Sequence, residues 1–276
     1  MQSTYNEERT TWNGGKLPRP VSVTYRVWAT PLEVAAGAAE LFVSAANAAV
    51  AARGVARIAV SGGTTPKVMF ALLADKSAPY FARVPWAKLH LFWVDERCVP
   101  PTDPESNYKM TNEAMLAKVP LPAAQIHRME GELEPQVAAS RYEALLRTEF
   151  RLEGAEAPVF DLVLLGMGDD GHTASLFPHT QALYEMVRLA VANHVPQKET
   201  WRITLTWPVI NRGREVVFLI EGAGKAQVLR DVLLGAYDPE AKPSQLIRPA
   251  SGKLTFLLDA AAAAKLPEPA GGILEL

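Results

Sequence analysis

A single cysteine, Cys98, occurs in 276 residues, so no internal disulfide can form, and no CxxC pair offers a thiolate metal or redox site. That usage points to a reducing compartment, and a chain of this length buries enough surface to need no covalent staple. A surplus of charge is lacking too. Lys plus Arg number 28 against 30 Asp plus Glu, a balance of −2. This argues against the basic footprint of a nucleic-acid binder or of a protein held on an anionic membrane. The first twenty residues carry Glu7 and Glu8 and lack the apolar core of a secretory leader. Pro31 to Ala52 is long and Ala-rich, but Glu33, Glu40, Ser44 and Asn47 interrupt it, as in an amphipathic helix of a soluble protein. The expectation is a cytoplasmic protein with no nucleic-acid or membrane partner. No internal repeat, like-charge block or low-complexity linker divides the chain.

What is present is an alternation of short apolar runs with longer helical patterns. Strands are predicted at Arg57–Val60, Leu89–Val94, Phe160–Leu165, Trp201–Thr206, Glu215–Ile220 and Leu254–Leu258. Helices are predicted at Pro31–Ala52, Pro66–Ala74, Asn107–Lys118, Pro135–Arg151 and Lys225–Leu234. Strands joined by helices of this length require crossovers. They predict an α/β fold, a mainly parallel, Rossmann-like sheet with helices on both faces. Residues 1–20 read as an extension and 21–276 as one domain. Ligands of such sheets bind beyond the carboxyl ends of the strands, where four polar or glycine-rich loops fall.

The first loop, Ser61-Gly62-Gly63-Thr64-Thr65-Pro66, runs from a strand into a helix start, with Thr64 or Thr65 as cap. Its backbone N–H groups and hydroxyls suit a phosphate, or they form an ordinary capped turn. The second, Asp95-Glu96-Arg97, puts three charges directly after an apolar run, so these residues should project at the rim. Arg97 could fork onto a phosphate and Asp95 orient a water or sugar hydroxyl, or Arg97 could pair with a neighbouring carboxylate. The third runs from Gly166 to Pro178 and places His172 among glycines at an expected helix start. An imidazole titrates near neutrality and can take a proton from water, with Asp170 fixing its tautomer. His172 and His179 lack zinc-ligand spacing, and no metal is assigned. In the fourth, Gly224-Lys225 opens a helix, where Lys225 could neutralise a phosphate. Lys198 and Arg202, before and within the WRITLT strand, are either ligand contacts or solvated charges. His90, His127 and His194 have no such context. The absence of a GxSxG elbow removes support for a serine nucleophile.

SGGTTP, WVDERCVPPTDPESNYKM, DLVLLGMGDDGHTASLFP, WRITLTWPVINRGREVVFLIEGAGKA and SGKLTFLLDAAAA together resemble the 6-phosphogluconolactonases of the pentose phosphate pathway, from about Arg57 to Ala264. These share an ancestral fold with glucosamine-6-phosphate deaminases, which follow DGH with an Ile-Ala-Phe-Asn-type sequence and place tyrosine where Arg97 stands here. The resemblance implies hydrolysis of 6-phospho-D-glucono-1,5-lactone without a redox cofactor or obligatory metal. It implies His172 as general base, substrate contacts from Ser61, Gly62, Gly63, Thr64, Thr65 and Arg97, and phosphate recognition by Lys225. The family's Lys-Pro-Pro segment is replaced here by Gln197-Lys198-Glu199, so Lys198 is the candidate for the family's lysine. Two other readings compete, an amino-sugar-phosphate deaminase or isomerase with Asp95 as carbon base, and a sugar-phosphate sensor without catalysis.

Overall fold

Thr30 and Glu33 close a reciprocal capping box at the start of the first long helix, Pro31 occupies its first turn, and Gly54 ends it at φ 77°. The same logic of apolar runs and glycine stops builds the rest. The computed structural model describes residues 22–249, 251–267 and 271–275, and the expected extension 1–20 lies outside them. The chain forms β1 (Ser22–Trp28), α1 (Pro31–Arg53), β2 (Ala56–Val60), α2 (Thr64–Ala74), β3 (Leu89–Trp93) and β4 (Asp95–Arg97). It continues with α3 (Asn107–Ala114), β5 (Ile126–His127), α4 (Pro135–Phe150), β6 (Leu162–Leu165), β7 (Ala190–Val195) and β8 (Thr200–Leu205). It ends with α5 (Trp207–Ile210), β9 (Glu215–Ile220), α6 (Ala226–Leu234), β10 (Lys253–Asp259), α7 (Ala260–Ala263) and β11 (Gly271–Glu275).

Eight strands form one sheet in the order β11-β1-β10-β9-β6-β2-β3-β5. Every neighbouring pair is parallel except β1 with β11. The central strands are apolar on both faces, as a doubly covered parallel sheet requires. Ile58 and Val60 pack with α1 and α2 on one side, while Val163, Leu165, Phe218 and Ile220 pack with α4 and α6 on the other. The fold class is therefore the one expected. α1, although apolar along its length, buries Val34, Ala38, Phe42, Val43 and Ala46 in this packing. It is a core helix.

The WRITLT run is the half-buried strand expected of it, but it stands outside the main sheet. β8 lies in a separate antiparallel sheet in the order β4-β8-β7. The DER residues, expected to project at the rim, are β4 of that small sheet, with Asp95 and Glu96 buried. Two backbone bonds join the sheets through Val94, whose N–H donates to Val60 O and whose carbonyl accepts from Leu205 N–H.

Candidate active site

The chain turns to one side of the sheet after β2, through α2 to β3, while β6 and β9 lie on the other side. Between β2 and β6 the strand order reverses, and such a switch point leaves a crevice at the carboxyl ends. All four suspected loops line one cleft of about 310 Å³ there, the low end of the range for small-molecule sites.

The GMGDDGH loop is held by its own backbone. Gly168 N–H donates to His172 O, Gly171 N–H donates to Gly168 O, and Gly171 sits at φ 84°. His172 is thus on a tight loop, and the expected helix start is not formed. Its ring stacks on Phe177 at 4.0 Å between centroids, and Nδ1 lies 2.6 Å from Asp170 Oδ1. Burial works to raise the Asp170 pKa, but hydrogen bonds and charge from His172 outweigh it and hold the carboxyl at about 2. An ionised carboxylate at Nδ1 selects the tautomer with the proton on Nδ1 and leaves the Nε2 lone pair free. Gly168 is required by contact, because a Cβ there would stand 2.0 Å from His172 Nδ1 and 2.8 Å from Asp170 Oδ1.

At the SGGTTP loop, α2 begins at Thr64 with Gly63 as its cap and no side-chain capping bond, so neither threonine is the cap. The amides of Thr64 and Thr65 have no partner inside the helix and lie at the cleft with its positive dipole end. Ser61 Oγ is buried without a hydrogen-bond partner. Gly62 has a reason beyond anion access, since a Cβ there would fall 1.9 Å from Asn107 Oδ1.

Within β4 each residue does something different. Glu96 accepts from the backbone N–H groups of Asn107 and Tyr108 at 2.7 and 2.8 Å and from Ser106 Oγ at 3.1 Å, closing the start of α3. Burial pushes its pKa up while these bonds pull it down. Asp95 lines the cleft, yet Oδ2 accepts from Ser175 Oγ at 2.7 Å and Oδ1 from Asn107 Nδ2 at 3.3 Å. Arg97 also lines the cleft and makes no pair with a neighbouring carboxylate. Its Nη1 donates to Glu105 O at 2.6 Å.

Lys225 lines the opposite wall and lies 2.5 Å from Asp169 Oδ1. Lys198 and Arg202, expected as ligand contacts, do not line the cleft. Lys198 Nζ lies over the Phe177 ring at 5.9 Å, behind His172. Arg202 pairs in register with Arg97 across β8 and β4, and its Nη1 donates to Thr200 Oγ1 at 2.9 Å. Burial and the charge of Arg97 lower its pKa.

A family model described as glucosamine-6-phosphate isomerases/6-phosphogluconolactonase matches residues 29–256. The chain belongs to that family. It is 44% identical over 212 residues to a 6-phosphogluconolactonase of Synechocystis, covering 76% of this chain and 85% of the relative. It is 41% identical over 240 residues to a 6-phosphogluconolactonase of Mycobacterium tuberculosis, covering 84% and 94%. Among solved structures, the 6-phosphogluconolactonase of Trypanosoma brucei superposes with a TM-score of 0.76 at 30% identity, covering 89% and 99%. A glucosamine-6-phosphate deaminase superposes with a TM-score of 0.72 at 19% identity, a likeness of fold alone.

Sequence reasoning missed Asn107 and Glu221. Asn107 lines the cleft from the start of α3, with Asp95 O and Oδ1 as acceptors. The run Pro-Glu-Ser-Asn signals a helix cap, and nothing local tells that its amide meets β4. Glu221 directly follows β9 at the cleft wall. Burial raises its pKa, Thr65 lowers it by a side-chain hydrogen bond, and the charge of Asp259 raises it again. Its position after an apolar strand was the available signal.

Proposed function

We propose that this protein hydrolyses 6-phospho-D-glucono-1,5-lactone to 6-phospho-D-gluconate, in the oxidative branch of the pentose phosphate pathway, in the cytoplasm. The observation that carries the reading is the Asp170–His172 pair, with the His172 ring lining the cleft and Nδ1 tied at 2.6 Å. A lactone is a cyclic ester. His172 Nε2 takes a proton from water as the oxygen attacks C1, and the carbonyl oxygen gains negative charge. Collapse of the intermediate breaks the bond from C1 to the ring oxygen, which receives the proton back from the imidazolium. Positioned proton transfer of this kind contributes about 10²–10⁴ in rate. Arg97 and the loop amides are the donors available to the developing oxyanion.

The first-turn amides of α2, the hydroxyls of Ser61 and Thr64, and Lys225 form the donor set for the 6-phosphate, while the Thr65 hydroxyl is held by Glu221. Asp95 acts as a positioning residue, because both its oxygens are engaged by Ser175 and Asn107. The same engagement disfavours the deaminase reading, in which Asp95 must be free to take a proton from carbon. Titration of acid release from freshly made lactone, corrected for spontaneous hydrolysis and run beside ammonia release from glucosamine 6-phosphate, tests the assignment. Catalysed acid release without ammonia supports it. Ammonia release, or neither, overturns it.

A further inference from the structure

Away from the cleft, at the β5 edge of the main sheet, the fold gathers three potential ligands from distant parts of the chain. His90 sits on β3, His127 ends the adjacent parallel strand β5, and Glu149 lies in the last turn of α4. His90 Nδ1 and His127 Nε2 share a hydrogen bond of 2.9 Å, which a cation held by both rings would replace, and Glu149 Oε2 is 3.6 and 3.8 Å from these two nitrogens. Neither contact of the carboxylate is within hydrogen-bonding distance. Zinc bound tetrahedrally at about 2.0–2.2 Å spaces its ligand atoms about 3.3–3.6 Å apart, and the three distances here lie on either side of that range or at its edge. None of the three residues lines the cleft.

The supports of the cluster are rigid. The His127 ring stacks on Phe92 at 4.4 Å, and its side chain is 5% exposed. His90 and Glu149, at 23% and 30%, leave a path from solvent. Burial lowers the pKa of both imidazoles, opposed at His90 by the Glu149 carboxylate and aided at His127 by His90, with Arg57 lowering both, and that of His127 falls to about 4. Arg57 itself is turned toward the face of Phe150 and donates to the Glu149 carbonyl at 3.2 Å.

We propose that His90, His127 and Glu149 form a divalent-cation site of zinc type, with water in the fourth position, joining β3, the edge strand β5 and the end of α4. It stands apart from the lactonase reading, since the cleft needs none of these residues.

The test is titration of the full chain with zinc chloride by calorimetry and by competition with a chromogenic chelator. The wild-type protein should bind one zinc per chain. His90→Gln and Glu149→Gln should each weaken it at least about tenfold, by loss of a ligand. Both side chains are partly exposed, so these variants should stay folded, which circular dichroism and Tm in EDTA verify. Zinc in about hundredfold excess over the wild-type Kd should raise the wild-type Tm by about 5–10 °C and raise that of both variants by no more than about half as much. His172→Ala must retain the binding. A wild-type chain that binds no zinc, zinc lost in His172→Ala, or zinc unweakened in both glutamine variants would overturn the proposal.

Discussion

Lys225 Nζ lies 2.5 Å from Asp169 Oδ1, pairing a lysine that is 26% exposed with an aspartate that is 83% exposed at the mouth of the cleft. So open an ion pair is worth no more than about 1 kcal/mol, less than the roughly 1.5–3 kcal/mol of a hydrogen bond between lysine and phosphate. A phosphate can take Lys225 from Asp169. Lys225→Ala should therefore raise KM for the phosphorylated lactone by roughly ten- to hundredfold, and leave the slow turnover of unphosphorylated glucono-1,5-lactone unchanged. Asp169→Asn should lower KM modestly. Equal effects of Lys225→Ala on both lactones would remove the phosphate from this wall.

The Asp170–His172 contact predicts a graded loss of rate. His172→Ala should lower kcat by at least about a hundredfold with a smaller change in KM, because a base acts mainly in the transition state. Asp170→Asn keeps the shape but not the charge, and should cost more than about tenfold through the wrong tautomer. The wild-type rate should fall on the acid side, where a protonated imidazole accepts nothing. With Asp170 titrating at about 2, its carboxylate stays ionised across that limb. A folded His172→Ala protein with near wild-type kcat would exclude this base.

Gly168 offers a test of geometry without any change of functional group. A methyl at this position overlaps His172 Nδ1 and Asp170 Oδ1. Gly168→Ala should lower kcat by about tenfold or more, since small misplacement of a positioned group is costly. The backbone here has an ordinary φ, so Tm should change little. Unchanged kcat in steady-state kinetics would show that the loop adapts.

His127 predicts a pH dependence of stability. Its folded pKa of about 4 lies below the ordinary 6.5, chiefly from burial. Between these values the unfolded chain binds the proton and the folded chain does not, so stability rises with pH. That contribution is complete above about pH 6.5 and is lost as the pH falls toward 4. Chemical denaturation between pH 4 and 7, in EDTA, should show a smaller slope in His127→Gln than in the wild-type protein. Equal slopes would place the acid sensitivity elsewhere.

Much of the fold was legible in the sequence because a doubly covered parallel sheet writes its central strands as continuous apolar runs. Arg57–Val60, Leu89–Val94, Phe160–Leu165 and Glu215–Ile220 all form strands of it, within two residues at either end. The four loops that line the cleft were legible for the same reason, since a glycine or charge that halts an apolar run marks the carboxyl end of a strand. What stayed hidden depends on contacts between distant segments. β4 and β5 span three and two residues, too short for any periodicity, and β7 reveals its place only by pairing with β8. The same limit explains why Glu96 was not seen to cap α3, why Asn107 was missed, and why Lys198 and Arg202 were expected in a cleft they do not line.

By itself, then, the sequence determined the alternation of strands and helices, the rim on which its glycine loops fall, and the His172–Asp170 contact, which spans only two residues. Tertiary structure alone decided which side chains from β4, α3 and β9 complete the cleft, and that His90 meets His127 and Glu149. The reason is one of range. Local pattern is set by backbone propensity and by the burial of each element's own face, whereas those meetings follow from strand order and helix crossing, which join residues 37 positions apart in the case of the two histidines.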